Sequence, residues 1–237
     1  MLRYTRKEMK QAAKNDLNGK WGVSIGSFLM ATYVPAMVFT LPFAFLYMGG
    51  FLALMVEAFP MAALMNGLAI LSLFIPVFLI SGPLYMGYYL FNLKVGRNQP
   101  VGFALPYRAF TSGVYGRVTK GYFMWNVIVL LWSLLLIVPG IVKGMAYAQM
   151  PYLMMDHPEM TWKEAMKESE RMMKGHKMDY FVLGLSFFGW ILLASITYYA
   201  SMLYSGPYMY QTLANFYRDL RGETLNVVKV TSYEKQI

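Results

Sequence analysis

The stretch from Trp21 to Leu93 constrains this chain most, because it runs for 73 residues with a single formal charge, Glu57. A soluble domain of 237 residues could not cover so long an apolar run. All 21 Lys and Arg residues lie in four blocks outside it, at 1–20, 94–120, 143–177 and 218–235. Such residues collect on the cytoplasmic side of membrane proteins. The pattern therefore predicts a multi-pass membrane protein with cytoplasmic basic blocks.

Charge and cysteine usage exclude several functional classes. The net charge of +9 lies beside apolar segments, where it sets orientation and meets anionic headgroups, so we expect no nucleic-acid binding. The chain has no cysteine, which excludes disulfides, thiolate metal sites and cysteine nucleophiles. The apolar run after the polar start is too long for a signal peptide, so we expect the first span to remain in the mature protein.

Apolar runs of roughly 20 residues can cross a bilayer, and their number predicts an all-α polytopic helical bundle with about six spans. We treat 1–237 as a single membrane domain whose three hairpins lie at 23–93, 122–155 and 180–217. Cytoplasmic interfacial helices are predicted at 4–19 and 158–175, a cytoplasmic basic loop at 94–120 and a cytoplasmic tail at 218–237. Gly49, Gly50 and Pro60 interrupt the first hairpin, so 47–65 is expected to be an outer loop or a short interfacial helix.

The pair Pro139-Gly140 leaves two topologies open. If it only kinks one helix, the basic block at 143–177 lies outside, against the positive-inside rule. If it is the tip of the second hairpin, every basic block except Lys143 is cytoplasmic, and we prefer this topology. Lys143 would then lie near the outer interface, either paired with Glu57 or extending its long stem to the headgroups alone.

The chain partly repeats itself. T-x-K-E sequences begin at Thr5 and Thr161, and a glycine follows each threonine after fourteen residues, at Gly19 and Gly175. T-x-K-E predicts a capping box at a helix start, and the glycines suit left-handed turns at the helix ends. Both helices are amphipathic, so we expect their apolar faces to lie on the membrane.

A second repeated sequence supports the same duplication. The sequence Ser-Gly-Pro occurs twice, and its last two residues are Gly82-Pro83 in the first copy and Gly206-Pro207 in the second. A proline at this position should start or kink a helix. The order of amphipathic helix, span and Ser-Gly-Pro helix predicts two halves of parallel orientation.

Two short motifs have ordinary structural interpretations. The sequence 22–26 matches the G-x-S-x-G nucleophile elbow, but no strand is predicted before its serine, so helix packing explains it better. Asp156, His157 and Glu159 could bind a metal, yet they fit a turn at a helix start. We therefore predict no catalytic residue, no metal site and no cofactor.

Tyrosine and methionine are abundant, at 19 and 21 residues. Their clusters fit an interfacial aromatic belt, core packing, or an adaptable groove for apolar ligands. The groove candidates are Tyr85, Met86, Tyr89, Tyr147, Met150, Tyr208 and Met209. Intramembrane amides either join helices or mark a pathway, and we favour joining. These amides belong to Asn92, Asn126, Gln149, Gln211 and Asn215.

The stretch from Leu131 to Lys143, together with Met150-Pro151-Tyr152 and the motif from Ala165 to Gly175, resembles the bacterial membrane family catalogued as domain of unknown function 975. The resemblance covers nearly the whole chain, to about residue 220, and implies a helical membrane fold with no established activity. The Pro-Gly helix followed by a basic helix is more distantly similar to the membrane domain of some glycerophosphodiester phosphodiesterases.

These observations predict a non-enzymatic protein of the bacterial plasma membrane with both termini cytoplasmic. We expect it to bind or move an amphipathic ligand, either a lipid or a membrane-active peptide. The alternative is an interaction or immunity-type accessory subunit of another membrane complex. The expected partners are membrane lipids and either such a peptide or another membrane protein.

Overall fold

The computed structural model describes residues 2–111, 113–197 and 199–227, and the side chains of all these residues except 73–78. The helices are α1 (Arg6–Leu17), α2 (Trp21–Met55), α3 (Phe59–Pro76), α4 (Gly82–Gly96), α5 (Tyr115–Leu135), α6 (Ile137–Ala146), α7 (Met150–Asp156), α8 (Trp162–Met172), α9 (Lys177–Leu185), α10 (Phe188–Ile196) and α11 (Met202–Leu220). A π-helical turn spans Val77–Ser81 and a 3-10 helix spans Leu105–Phe110. All regular structure in these ranges is helical, which confirms the all-α part of the predicted fold class.

Within the described residues, three helical stretches are long and apolar enough to cross a membrane: α2, α5 and the combined stretch Lys177–Ile196. At most 17% of each apolar window is buried inside the protein. Their side chains therefore point outward, as expected of helices in lipid. This arrangement indicates a membrane protein, while the total of six spans stays a prediction.

Residues 47–65, expected to form an outer loop or a short interfacial helix, mostly belong to the end of α2 and the start of α3. The 35 residues of α2 continue through Gly49 and Gly50 to Met55, and α3 begins at Phe59, directly before Pro60. A side chain at either glycine would overlap α3, so these glycines let the two helices pack closely. The pair does not break the helix, and proline is tolerated in the first turn of α3.

The second hairpin turns at Leu136, whose extended backbone (φ −160°, ψ 141°) separates α5 from α6. The Pro-Gly pair lies in the first turns of α6. A side chain at Gly140 would overlap Ser133, and one at Gly144 would lie 3.8 Å from Val129. Along these two contacts the residue numbers rise on α6 and fall on α5, so the two helices run antiparallel.

Both predicted capping boxes are confirmed. The Thr5 side chain accepts a hydrogen bond from the Glu8 amide at the start of α1, and Thr161 accepts one from Glu164 at the start of α8. Gly19 and Gly175 then adopt φ values of 72° and 87°. Left-handed φ favours glycine there, because a side chain would be strained.

The apolar faces of α1 and α8 lie on the protein and not on a membrane surface. In α1, Met9, Ala12, Ala13 and Leu17 are buried and pack among residues of α4, α9 and α11. In α8, Ala165 packs against α5 and α7. The expectation that these faces lie on the membrane was therefore wrong, because neighbouring helices already cover them.

Hydrogen bonds support the internal repeat. After α1, the Lys20 amide donates to the Leu17 carbonyl at 2.8 Å, and after α8 the His176 amide donates to Met173 at 3.1 Å. The donor and the acceptor of the second bond each lie 156 positions after those of the first. The next helices, α2 and α9, also begin 156 positions apart.

The helices that contain Ser-Gly-Pro end alike. Asn98 after α4 and Gly222 after α11 have φ values of 53° and 75°. The residue following each one donates back to the carbonyl of Lys94 at 2.8 Å or Arg218 at 2.9 Å. These turns lie 124 positions apart, as do the two prolines. Shared turn geometry at shared spacing supports a duplication of the two halves.

Candidate functional site

A break of three residues, 147–149, separates α6 from α7. Together the two helices run back along α5: Gly144 faces Val129, and Arg117 near the start of α5 donates to the Met154 carbonyl at 2.8 Å. A break in a helix leaves backbone groups without their usual partners. In an apolar setting such groups must find other partners.

Ser169 of α8 satisfies the backbone at this break. Its hydroxyl accepts a hydrogen bond from the backbone amide of Gln149 at 3.1 Å and donates one to the backbone carbonyl of Ala146 at 2.8 Å. Ser169 and Gln149 are both fully buried, so water does not compete for these bonds. One hydroxyl on a separate helix therefore joins the end of α6 to the start of α7.

The Gln149 side chain is poorly satisfied. Its amide nitrogen donates only to the Met173 sulfur at 3.4 Å, and its carbonyl oxygen has no hydrogen-bond partner in the described residues. A thioether is a weak acceptor. A buried amide left in this state costs free energy. The break therefore holds a polar group that a bound molecule could satisfy.

Lys143 ties α6 to α8. Its ammonium group lies 2.7 Å from the Glu170 carboxylate and within 5.5 Å of the ring centres of Trp132 and Tyr147. Both alternatives left open for Lys143, a pair with Glu57 and an unpaired lysine reaching the headgroups, were therefore wrong. The reason is that α6 is short and follows directly on the turn at the end of α5. It therefore brings Lys143 alongside α8.

The predicted groove residues are divided between two packed clusters. Met86, Tyr89, Tyr147 and Met150 lie together around the break, whereas Tyr208 and Met209 pack with α1, α2 and α4. Tyr85 is half-buried on α4. Met86 and Met150 have no exposed surface, so this cluster is closed, and its role in ligand binding stays a prediction. Tyr198, which belongs to the same sequence clusters, lies outside the described residues.

The Ser-Gly-Pro sequences bring helices together. A side chain at Gly82 would overlap Tyr122 of α5, and one at Gly206 would overlap Phe28 of α2. Pro83 lies in the first turn of α4, whereas Pro207 lies inside α11. The two glycines therefore permit close packing of both Ser-Gly-Pro helices.

A network of charges joins the ends of α4, α7 and α11. Arg97 binds Asp156 through both terminal nitrogens, at 2.5 and 2.8 Å, and binds Glu223 at 2.5 Å. Arg218 binds the same Glu223 at 3.0 Å. Burial alone would raise the pKa of Asp156 and Glu223, but the bonds from arginine outweigh it and lower both pKa values. The network fixes three helix ends to one another.

Asp16 extends the network to α1. Its side chain accepts hydrogen bonds from Asn215 at 2.9 Å and Gln211 at 3.2 Å, with Arg218 at 3.7 Å. Burial raises its pKa, and these contacts offset the rise only in part. Gln211 and Asn215 thus join helices, as predicted. Asn92 and Asn126 do not, since each donates to a carbonyl of its own helix.

Sequence reasoning missed the arginine and Asp16 contacts but had a signal for one of them. Asp16 interrupts the apolar face formed by Met9, Ala13 and Leu17, and a carboxylate in that position requires a partner. Ser169 likewise lies on the apolar face of α8. Among the described residues, no group of three His, Cys, Asp or Glu side chains could hold a metal.

Comparisons with known proteins find one family. A family model described as "Protein of unknown function (DUF975)" matches residues 101–224, which include α5 to α11 and the whole break. No curated protein matches, and no solved structure matches. The distant similarity to phosphodiesterase membrane domains gains no support and stays a prediction.

Proposed function

The chain belongs to the DUF975 family of proteins of unknown function, and from the geometry of the α6–α7 break we propose that it is a non-enzymatic membrane protein that binds or moves an amphipathic ligand. The observation that carries the proposal is the buried Gln149 amide, whose oxygen lacks a partner within a cluster of tyrosine and methionine side chains. A lipid headgroup or peptide backbone could donate to that oxygen. The surrounding methionines are adaptable and suit variable apolar chains.

Access to this cluster depends on α8. The polar contacts of α8 and of Met173, directly after it, with α6 and the break are those of Ser169, the weak contact between Gln149 and Met173, and the pair Lys143–Glu170. Glu170 is 44% exposed in its side chain, and an exposed pair of this kind contributes only about 0–1 kcal/mol. Movement of α8 would expose the break and its unsatisfied amide together. We therefore propose α8 as the element that opens for the ligand.

The proposed topology places the protein in a bacterial plasma membrane with three hairpins and both termini cytoplasmic. The distribution of Lys and Arg supports this orientation, and α8 would face the cytoplasm. A single cysteine introduced by Lys167→Cys, at an exposed position of α8, tests it in intact cells. Labelling by a membrane-impermeant reagent from outside would contradict the topology.

Native mass spectrometry of the gently solubilised protein tests the function. We expect the wild type to carry a lipid or peptide adduct, and Gln149→Leu to lose it. Asn126→Leu is the matched control, because that amide lies on α5 and bonds only within its own helix. The control should keep the adduct.

Two results would contradict ligand binding. The first is a wild-type chain that carries no adduct. The second is a stoichiometric protein in place of a small molecule, which would support the interaction or immunity-type accessory role. An adduct that survives Gln149→Leu would instead move the binding site away from the break.

A further inference from the structure

A row of exposed and half-buried aromatic side chains lies beside the first turns of two candidate spans. It consists of Phe103, Tyr107 and Phe110, which are 53%, 40% and 37% exposed, and of Tyr115 at the start of α5. The Phe110 and Tyr115 rings stack at 5.7 Å, and Tyr107 and Phe110 lie 6.5 Å apart. We call these four residues the aromatic ridge.

The segment that carries most of the ridge packs against the protein. Leu105 and Ala109 point inward and are buried, and Gly87 of α4 lets the backbone of Pro106 pack directly against it. The Tyr107 hydroxyl contacts the Met30 sulfur of α2 at 3.2 Å. The outward direction of the aromatic rings is therefore set by the fold.

The position of the ridge matches a membrane interface. Phe103 packs against Gly26 in the first turns of α2, and Tyr115 begins α5. From Met30 onward in α2 and from Phe123 onward in α5, the exposed side chains are mostly apolar. Aromatic rings with polar groups concentrate at the level of the headgroups.

The sequence segment that contains most of the ridge carries only positive charge. Residues 94–120 contain five Lys and Arg and no Asp or Glu. Arg97 is paired within the protein, and Arg117 donates to a backbone carbonyl. Arg108 on the ridge and Lys120 in α5 are both exposed and make no ion pair with the described residues. These two cations are available to an external anion.

We propose that the aromatic ridge with Arg108 and Lys120 is a contact site for anionic phospholipid headgroups. The rings fix the depth of the segment in the interface, and the two cations bind lipid phosphate. Cations near a membrane surface each favour anionic lipid, typically by roughly fivefold in affinity. A soluble acidic protein would also suit the charge, but it would not explain why the rings follow the starts of two spans.

Electron spin resonance with spin-labelled lipids tests the proposal on the full chain in bilayers. The ratio of bound phosphatidylglycerol to bound phosphatidylcholine is measured for the wild type and for Arg108→Gln/Lys120→Gln. We expect a clear preference for phosphatidylglycerol in the wild type and a several-fold loss in the double variant. The control is Lys167→Gln/Lys174→Gln, which removes two exposed charges from the α8 segment and should keep the preference.

Hydrogen exchange provides a second measurement. Amides of 103–110 should exchange more slowly in nanodiscs that contain phosphatidylglycerol than in phosphatidylcholine nanodiscs. Equal lipid selectivity in all variants would overturn the proposal. So would loss of a co-purifying protein from the ridge variant with unchanged lipid selectivity, which would assign the surface to a protein partner.

Discussion

Replacing Ser169 by alanine tests the central feature of the site, because one hydroxyl holds the break between α6 and α7. The change removes the 3.1 Å bond from the Gln149 amide and the 2.8 Å bond to the Ala146 carbonyl. Ser169 and Gln149 have no exposed surface, so water cannot replace these bonds without a structural change. Each unsatisfied backbone group costs about 1–3 kcal/mol, which gives roughly 2–6 kcal/mol in total.

The assay is thermal unfolding in detergent, followed by tryptophan fluorescence, combined with hydrogen exchange. For a chain of this size, each kcal/mol lowers the midpoint by about 2–4 °C, so Ser169→Ala should lower it by roughly 4–24 °C. The amides of 146–150 should also exchange faster. Ser195→Ala is the matched control, since the Ser195 hydroxyl is exposed and bonds only to a carbonyl of its own helix.

The reasoning would be refuted if Ser169→Ala behaved like Ser195→Ala in both measurements. Unchanged exchange at 146–150 would show that the break does not depend on α8. A lower midpoint without faster local exchange would place the lost stability elsewhere in the fold. In either case α8 could not be the element that opens the proposed ligand site.

Three further changes test the packing and the charge network. Arg97→Met leaves Asp156 half-buried without its cation and should destabilise the protein by about 2–3 kcal/mol, measured by thermal unfolding. The lowered pKa values of Asp156 and Glu223 mean that both stabilise the wild type fully above their ordinary pKa values of 3.8 and 4.5. That stability should be lost as the pH falls below them, and Arg97→Met should flatten this part of the acid unfolding curve. Gly87→Ala would overlap the backbone of the 3-10 segment and should cost about 1–3 kcal/mol, whereas Gly116→Ala has open space and should not destabilise.

Features set by neighbouring residues could be predicted from the sequence. The two T-x-K-E sequences each place a threonine and a glutamate where both hydrogen bonds of a capping box can form, so Thr5 and Thr161 start helices as expected. The low charge of 21–93 likewise predicted helices whose apolar faces point outward into lipid, because a soluble domain could not cover so long an apolar run. These inferences needed no knowledge of which helices pack together.

Features that depend on helix packing could not be predicted in the same way. Lys143 pairs with Glu170 because α6 is short and α8 packs beside it, and neither fact follows from the spacing of the two residues. Gly49 and Gly50 could equally have marked a turn or a close helix contact. The tyrosine and methionine residues were grouped by type, whereas packing divides them between two clusters.

The two halves of the chain differ in height. From the capping threonine to the serine of Ser-Gly-Pro, the first half takes 76 residues and the second takes 44. The extra 32 residues lie in the α2–α3 hairpin, and shared between two antiparallel helices they add about 24 Å to its length. Val56 and Phe59 at its end are 75% and 62% exposed. A bilayer whose thickness equals the length of the α9–α10 stretch is therefore too thin for the first hairpin. The apolar end of that hairpin would extend beyond the lipid and would require another apolar surface to cover it.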